Sequence, residues 1–214
     1  MLLATLILAA CAPAASAAVR VDMDVAPRET RFGDETEITG KVTSDGEPVA
    51  GQEVRLEGRR YPFEDDLRVL DTAVTEADGT YRFEREFERN WEVRVRADEV
   101  AAKRRRAYVF PHFKLKFKAR NARVVDIIAR YRVPHGVDLE RPTLFYVGRA
   151  GRSTAPRAAS AETERTRSGR FVARATVRIP SAWNGRFRYG GCFRYTPGSG
   201  MGDPRASCPK RFKF

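Results

Sequence analysis

Two histidines, three cysteines and a large excess of arginine and lysine are the residues through which this chain of 214 residues could do chemistry. Acyl transfer needs a nucleophile, a base and an acid that orients the base. His112 follows Pro111 and His135 follows Pro134, and neither is accompanied by a Ser or Cys motif such as G-x-S-x-G. From residue 108 onward the acids are only Asp126, Asp138, Glu140, Glu162, Glu164 and Asp203, too scattered for paired-carboxylate chemistry. Gly198-Ser199-Gly200-Met201-Gly202 is glycine-rich, but no Lys-Ser/Thr follows it, so it is not a phosphate loop. A structural metal wants about four ligands, and neither histidine stands at ligand spacing from a cysteine. Glu64-Asp65-Asp66 lacks the spaced ligands of a calcium loop. The chain is therefore expected to be no enzyme and to hold no metal or cofactor.

Cysteine and charge remain. Cys192 and Cys208 form an even pair, expected to be disulfide-bonded; closing the 15 residues between them would contribute about 3 kcal/mol by chain entropy. The bridge would staple the glycine-rich segment as a loop. Charge divides the chain in two. Residues 19–107 carry 17 Lys and Arg against 22 Asp and Glu, a net of −5, whereas residues 108–214 carry 23 against 6, a net of +17. Cations in the second half interleave with aromatics: Lys114, Lys116 and Lys118 with Phe113, Leu115 and Phe117, and Arg186 and Arg188 with Phe187 and Tyr189. On strands this spacing places rings on one face and cations on the other. Arg186, Arg188, Arg194, Lys210 and Arg211 are the expected anion contacts.

The elements that must position these residues are strands. In Gly46-Glu47-Pro48 the chain must reverse. Upstream, Ile38, Gly40 and Val42 alternate with Thr39, Lys41 and Thr43; downstream, Val54 and Leu56 alternate with Glu53, Arg55 and Glu57. Asp78-Gly79 reads as a hairpin corner, with Tyr81, Phe83 and Phe87 behind it on one face. Further strands are expected near 67–75, 92–97, 109–118, 122–132, 142–148, 169–179, 186–195 and 210–214. Residues 149–168, rich in Gly, Ser, Thr, Ala and Arg, read as a loop.

The corner Gly46-Glu47-Pro48-Val49-Ala50-Gly51 followed by Asp78-Gly79-Thr80-Tyr81-Arg82-Phe83 resembles the carboxypeptidase regulatory-like, transthyretin-like group of bacterial immunoglobulin-like domains, over roughly residues 19–102. The resemblance implies a small antiparallel β-sandwich serving as a spacer or binding module of exported proteins. It implies no peptidase activity, which in that family belongs to a different domain. One relative of the group carries an internal lysine–asparagine amide bond. The candidates here are Lys41 and Asn90, and the phase of Lys41 aims its amine at water.

Residues 1–18 hold an apolar run, Leu2 to Ala10, and no charge, which fits an export signal and is too short for a membrane span. Two processing readings stand: cleavage at Ala15-Ser16-Ala17, or a lipobox Leu8-Ala9-Ala10-Cys11 with Cys11 as the lipidated residue. About 195 residues would remain, room for two bodies. The expected architecture is all-β, with two consecutive immunoglobulin-like antiparallel β-sandwiches over 19–102 and 108–214. The basic run Lys103-Arg104-Arg105-Arg106 would open a linker over 103–107. The expected function is that of a secreted or envelope-associated bacterial binding or adhesion module. Its second half would contact an anionic envelope polymer, a lipid headgroup or an acidic protein face; export argues against nucleic acid. The alternative is a structural accessory subunit of an envelope complex with no polymer ligand. Acidic residues of the first half, Glu64-Asp65-Asp66 and Glu84, Glu86 and Glu88, offer a nearer anion on which the basic half could dock.

Overall fold

The computed structural model describes residues 18–139, 143–149, 157–161, 163–167, 170–181, 187–192 and 198–202. Every regular element among them is a strand. In the first half, β1 (Val19–Ala26) pairs along its length with β3 (Glu35–Ser44), whose other edge carries β4 (Glu47–Pro48) and β7 (Thr80–Glu86). The facing sheet runs β2 (Glu29–Arg31), β10 (Arg105–Phe110), β8 (Trp91–Ala97), β5 (Glu53–Arg60), β6 (Arg68–Val74), with β9 (Val100–Ala101) beside β8. Strict alternation sends Val21, Met23 and Val25 of β1, Ile38 and Val42 of β3, and Tyr81 and Phe83 of β7 into one core with Val54, Leu56, Val93 and Val95. All are buried, and burial of each such side chain contributes about 1.5–3 kcal/mol.

Gly40 occupies an apolar phase without a side chain for a steric reason. It lies opposite both Met23 and Tyr81, and a Cβ there would collide with the Asp22 carbonyl and the Tyr81 hydroxyl. The glycine thus clears the path by which Tyr81 donates its hydroxyl to the Asp22 carbonyl oxygen. Burial, and secondarily the Asp22 carboxylate, push the phenol well above its usual range.

Of the two corners, the first behaves as its residues dictate. Asp45 and Gly46 take φ of 51° and 88°, and β4 folds back on β3. The second is a turn but not a hairpin. The Thr80 amide and hydroxyl donate to Asp78 Oδ1 at 3.0 and 2.6 Å, and Gly79 takes φ of 80°. The strands it joins nevertheless belong to opposite sheets, β6 with β5 and β7 with β3. The dipeptide encodes a reversal; strand partners are set by which face must be buried.

The second half repeats the plan with β11 (His112–Asn121), β12 (Val124–Arg132), β16 (Phe171–Arg178) and β15 (Thr163–Arg165) in one antiparallel sheet. The other sheet is β14 (Arg157–Ala161), β13 (Thr143–Arg149), β17 (Phe187–Cys192). The all-β class with two consecutive sandwiches is thus the observed one. The loop expected over 149–168 is corrected: β14 and β15 lie within it, one in each sheet. Alanine, serine and arginine carry little β propensity, and these strands form by pairing with β13 and β16 around buried Phe145 and Phe171.

The expected linker is corrected as well. Arg105 and Arg106 begin β10, where Arg106 stands opposite Glu92 and Ala107 and Val109 are fully buried. The halves meet at Pro111, between β10 and β11. There the segment 198–202 docks on the first half. Asn90, 2% exposed, donates its Nδ2 to the Gly202 carbonyl at 2.7 Å and accepts the Val109 amide on Oδ1 at 2.8 Å. Its own amide donates to the Gly200 carbonyl at 2.6 Å, and the Gly202 amide donates to the Val109 carbonyl at 2.7 Å. Asn90 is thereby committed to this junction, while Lys41 belongs to the opposite sheet. Among the described residues no ion pair crosses between the halves. Among the described residues, the contacts that join the halves include a buried amide and a glycine-rich loop.

Candidate anion-binding face

β11 and β12 place the cations. Phe113 is buried and Leu115 and Phe117 are half-buried on the inner face, so Lys114, Lys116 and Lys118 project outward. On β12 the same phase buries Val125, Ile127, Ala129 and Tyr131 and exposes Arg130 and Arg132. Register then sets Lys114 opposite Arg130, two cations side by side, and His112 opposite Arg132. Directly opposed like charges on one face are destabilising by a fraction of about 1 kcal/mol. Arg170, just before β16, joins them, and the six cationic or titratable side chains line a groove of about 450 Å³ with Tyr131 and Val133.

The far end of the same sheet differs. Asp126 accepts from Arg120 Nε at 2.6 Å and from the Thr176 hydroxyl at 2.8 Å, and these bonds hold its carboxyl below the usual carboxylate range. Arg174 meets Glu164 at 3.2 Å. Lys114, Lys116, Arg130, Arg132 and Arg170 have no such carboxylate within ion-pair distance among the described residues. Arg132 instead rests its guanidinium 5.5 Å from the Phe32 ring and donates to the Phe32 carbonyl at 3.4 Å.

His112 sits where this groove meets the first half. Burial, then the Arg132 and Arg31 guanidinia, hold its pKa below the ordinary imidazole value, against a smaller opposing pull from Asp34. Its Nδ1 is buried without a hydrogen-bond partner among the described residues. The neighbouring cations thus disfavour a further positive charge on this imidazole.

Of the expected contacts, Arg188 is placed in β17 opposite Gly148, in the sheet that does not carry the groove. Cys192 ends that strand opposite Leu144. Arg186, Arg194, Lys210, Arg211, Cys208 and Cys11 lie outside the described residues, as does the strand expected over 210–214. The residues brought together are Lys114 and Lys116 with Arg130, Arg132 and Arg170. The Arg130-Tyr131-Arg132 alternation was the available signal for the second pair; the register that sets it against β11 was not.

No family model and no curated protein matches the chain, so the likeness to the regulatory-like group rests on its two corner motifs. Solved structures similar to it include the native conformation of Escherichia coli α2-macroglobulin, with 15% identity, a TM-score of 0.36, and coverage of 86% of this chain and 13% of that one. A Salmonella α2-macroglobulin mutant gives 16%, 0.35, 85% and 14%. The D0-D1 domain of intimin gives 11%, 0.34, 79% and 89%. These values assign no function. The architecture stands on strand pairing, and no helix among the described residues is long and apolar enough to cross a membrane.

Proposed function

We propose that this protein is a non-enzymatic β-sandwich binding module of the bacterial exterior or cell envelope, and that its second half holds an acidic polymer on the outward face of β11 and β12. One observation carries the reading. Lys114, Lys116, Arg130, Arg132 and Arg170 gather around one groove, Lys114 directly opposite Arg130, with no carboxylate within ion-pair distance among the described residues to relieve them. A fold that keeps such a repulsive arrangement gains from it when a polyanion supplies the missing charge, and the low-dielectric walls of a groove concentrate that field. Phe113, Leu115 and Phe117 secure the strand from beneath, so the cations are presented on a rigid sheet.

The test is retention on an immobilised acidic polysaccharide across a salt series. Binding is expected to weaken steeply as salt rises, because these charges are exposed and screened within about 8–10 Å. Replacing Lys114, Lys116 and Arg130 together by Ser is expected to weaken it at least about tenfold at moderate salt. Retention that is insensitive to both salt and this triple variant refutes the assignment. Retention only by an acidic protein face, with no polymer bound, would favour the accessory-subunit reading.

A further inference from the structure

We infer that the first half, acidic overall, carries a separate site for a compact phosphate-class oxyanion in the cleft formed by Arg28, Arg104 and Arg106 beside Glu92. Glu92 points outward from β8 and yet is only 8% exposed, because three guanidinia close over it. Arg59 makes full hydrogen bonds to Oε1, from Nε at 3.0 Å and from Nη2 at 2.8 Å. Arg104 Nη1 lies 3.5 Å from Oε1 and Arg106 Nε lies 3.7 Å from Oε2. Those separations are at or beyond the limit of a hydrogen bond. One carboxylate is thus neutralised by Arg59, while Arg104 and Arg106 are drawn toward it with their donors largely unspent.

The cleft is about 260 Å³, and Arg28, on the turn between β1 and β2, forms its other wall. Among the described residues Arg28 has no carboxylate within ion-pair distance. Arg106 is steadied from outside: its guanidinium lies 4.9 Å from the centre of the Phe63 ring. Phe63 holds φ at 71°, a left-handed conformation that is unfavourable for a bulky residue and so must be imposed by its surroundings. Arg28, Arg59, Arg104 and Arg106 thus share a single carboxylate, and the excess positive charge calls for a multiply charged guest. Planar guanidinium forks match the oxygens of a tetrahedral phosphate or sulfate, and a cleft this small admits the anionic group rather than a polymer strand.

The site uses none of the residues around the β11–β12 groove, so it stands or falls independently of polymer binding there. The test titrates the full chain with inorganic phosphate at constant ionic strength, following backbone amides by heteronuclear NMR. Saturable shifts are expected at Arg28, Glu29 and Arg104–Tyr108, with half-saturation in the millimolar range or below. Replacing Arg104 and Arg106 together by Ser should weaken binding at least tenfold, whereas Lys114→Ser with Arg130→Ser should leave it unchanged. Should the double variant fail to fold, Arg28→Ser, on an exposed turn, is expected to weaken binding severalfold. Methyl phosphate and methyl sulfate serve as further arms: binding comparable to phosphate indicates an ester terminus as the natural guest, and weaker binding indicates the free ion. Linear, unsaturable shifts, or saturable shifts that all these arginine variants preserve, overturn the inference.

Discussion

The outward faces of β5–β8–β10 and β11–β12–β16 are built from the same parts and balance charge in opposite ways. On the first, each paired cation has a carboxylate: Arg59 meets Glu92 at 2.8 Å and Arg94 meets Glu57 at 2.7 Å, and Arg55 and Arg96, which stand opposite one another, meet Glu53 at 2.9 Å and Glu57 at 3.3 Å. On the second, Lys114 stands against Arg130, and among the described residues of this sheet the ion-paired acids, Asp126 and Glu164, meet Arg120 and Arg174 rather than that pair. Both are antiparallel ladders with the apolar phase inward. The difference shows that net charge does not distinguish a self-satisfied surface from one whose cations stand without carboxylates among the described residues. The carboxylates within reach of each cation do, because a neighbouring opposite charge stabilises a pair that a like charge alone would repel.

The largest expected effect tests whether the two faces belong to one cooperative body. Asn90→Leu removes an amide that serves Val109 and Gly202 at once and leaves both backbone groups buried without it. A loss of about 2–4 kcal/mol is expected, with the halves melting as separate transitions in calorimetry. A single undiminished transition would mean that the junction does not couple them.

Next in size is the contrast itself, measured by urea unfolding. Arg59→Ala strips a buried carboxylate of its two short bonds and should cost about 1–3 kcal/mol. Arg130→Ala relieves repulsion and should cost nothing or stabilise by a few tenths of about 1 kcal/mol. Equal losses from both substitutions would erase the distinction drawn between the faces. Salt sharpens it further: added chloride should stabilise the wild type more than the Arg130→Ala variant, since screening relieves only repulsion that is present.

The smallest effect concerns pH. His112 is held below its ordinary pKa in the fold, so the folded state favours neutral imidazole. Above pH of about 6.5 it is neutral in both states and contributes no slope. Below that value the unfolded chain takes up the proton first, and stability declines until pH passes the folded value. His112→Asn should flatten this part of the stability profile. A profile unchanged by that substitution would place the acid-sensitive group elsewhere.

Much of the fold was legible because sheets write themselves as alternation. Val21, Met23 and Val25, or Phe113, Leu115 and Phe117, declare an inner face without reference to any partner. What escaped had its signal elsewhere. Asp78-Gly79 announces a turn, and Val42 fixes what that turn joins: its amide donates to the Gly79 carbonyl across the sheet at 2.9 Å. Arg105 and Arg106 resemble linker residues until Val93 and Glu92 of β8 stand opposite them. Ala158 and Ala159 look like loop until β13 pairs with them.

For the candidate site the division runs the same way. The sequence by itself determined that Lys114 and Lys116 would share an exposed face and that the second half would be strongly basic, since side-chain phase and charge are local properties. Only the tertiary structure decided that Arg130, Arg132 and Arg170 would close around those lysines, and that Asn90 would lock to Gly202 across 112 residues of chain. Register and docking depend on which strands meet, and that is settled by burying both inner faces together, which no single segment can specify.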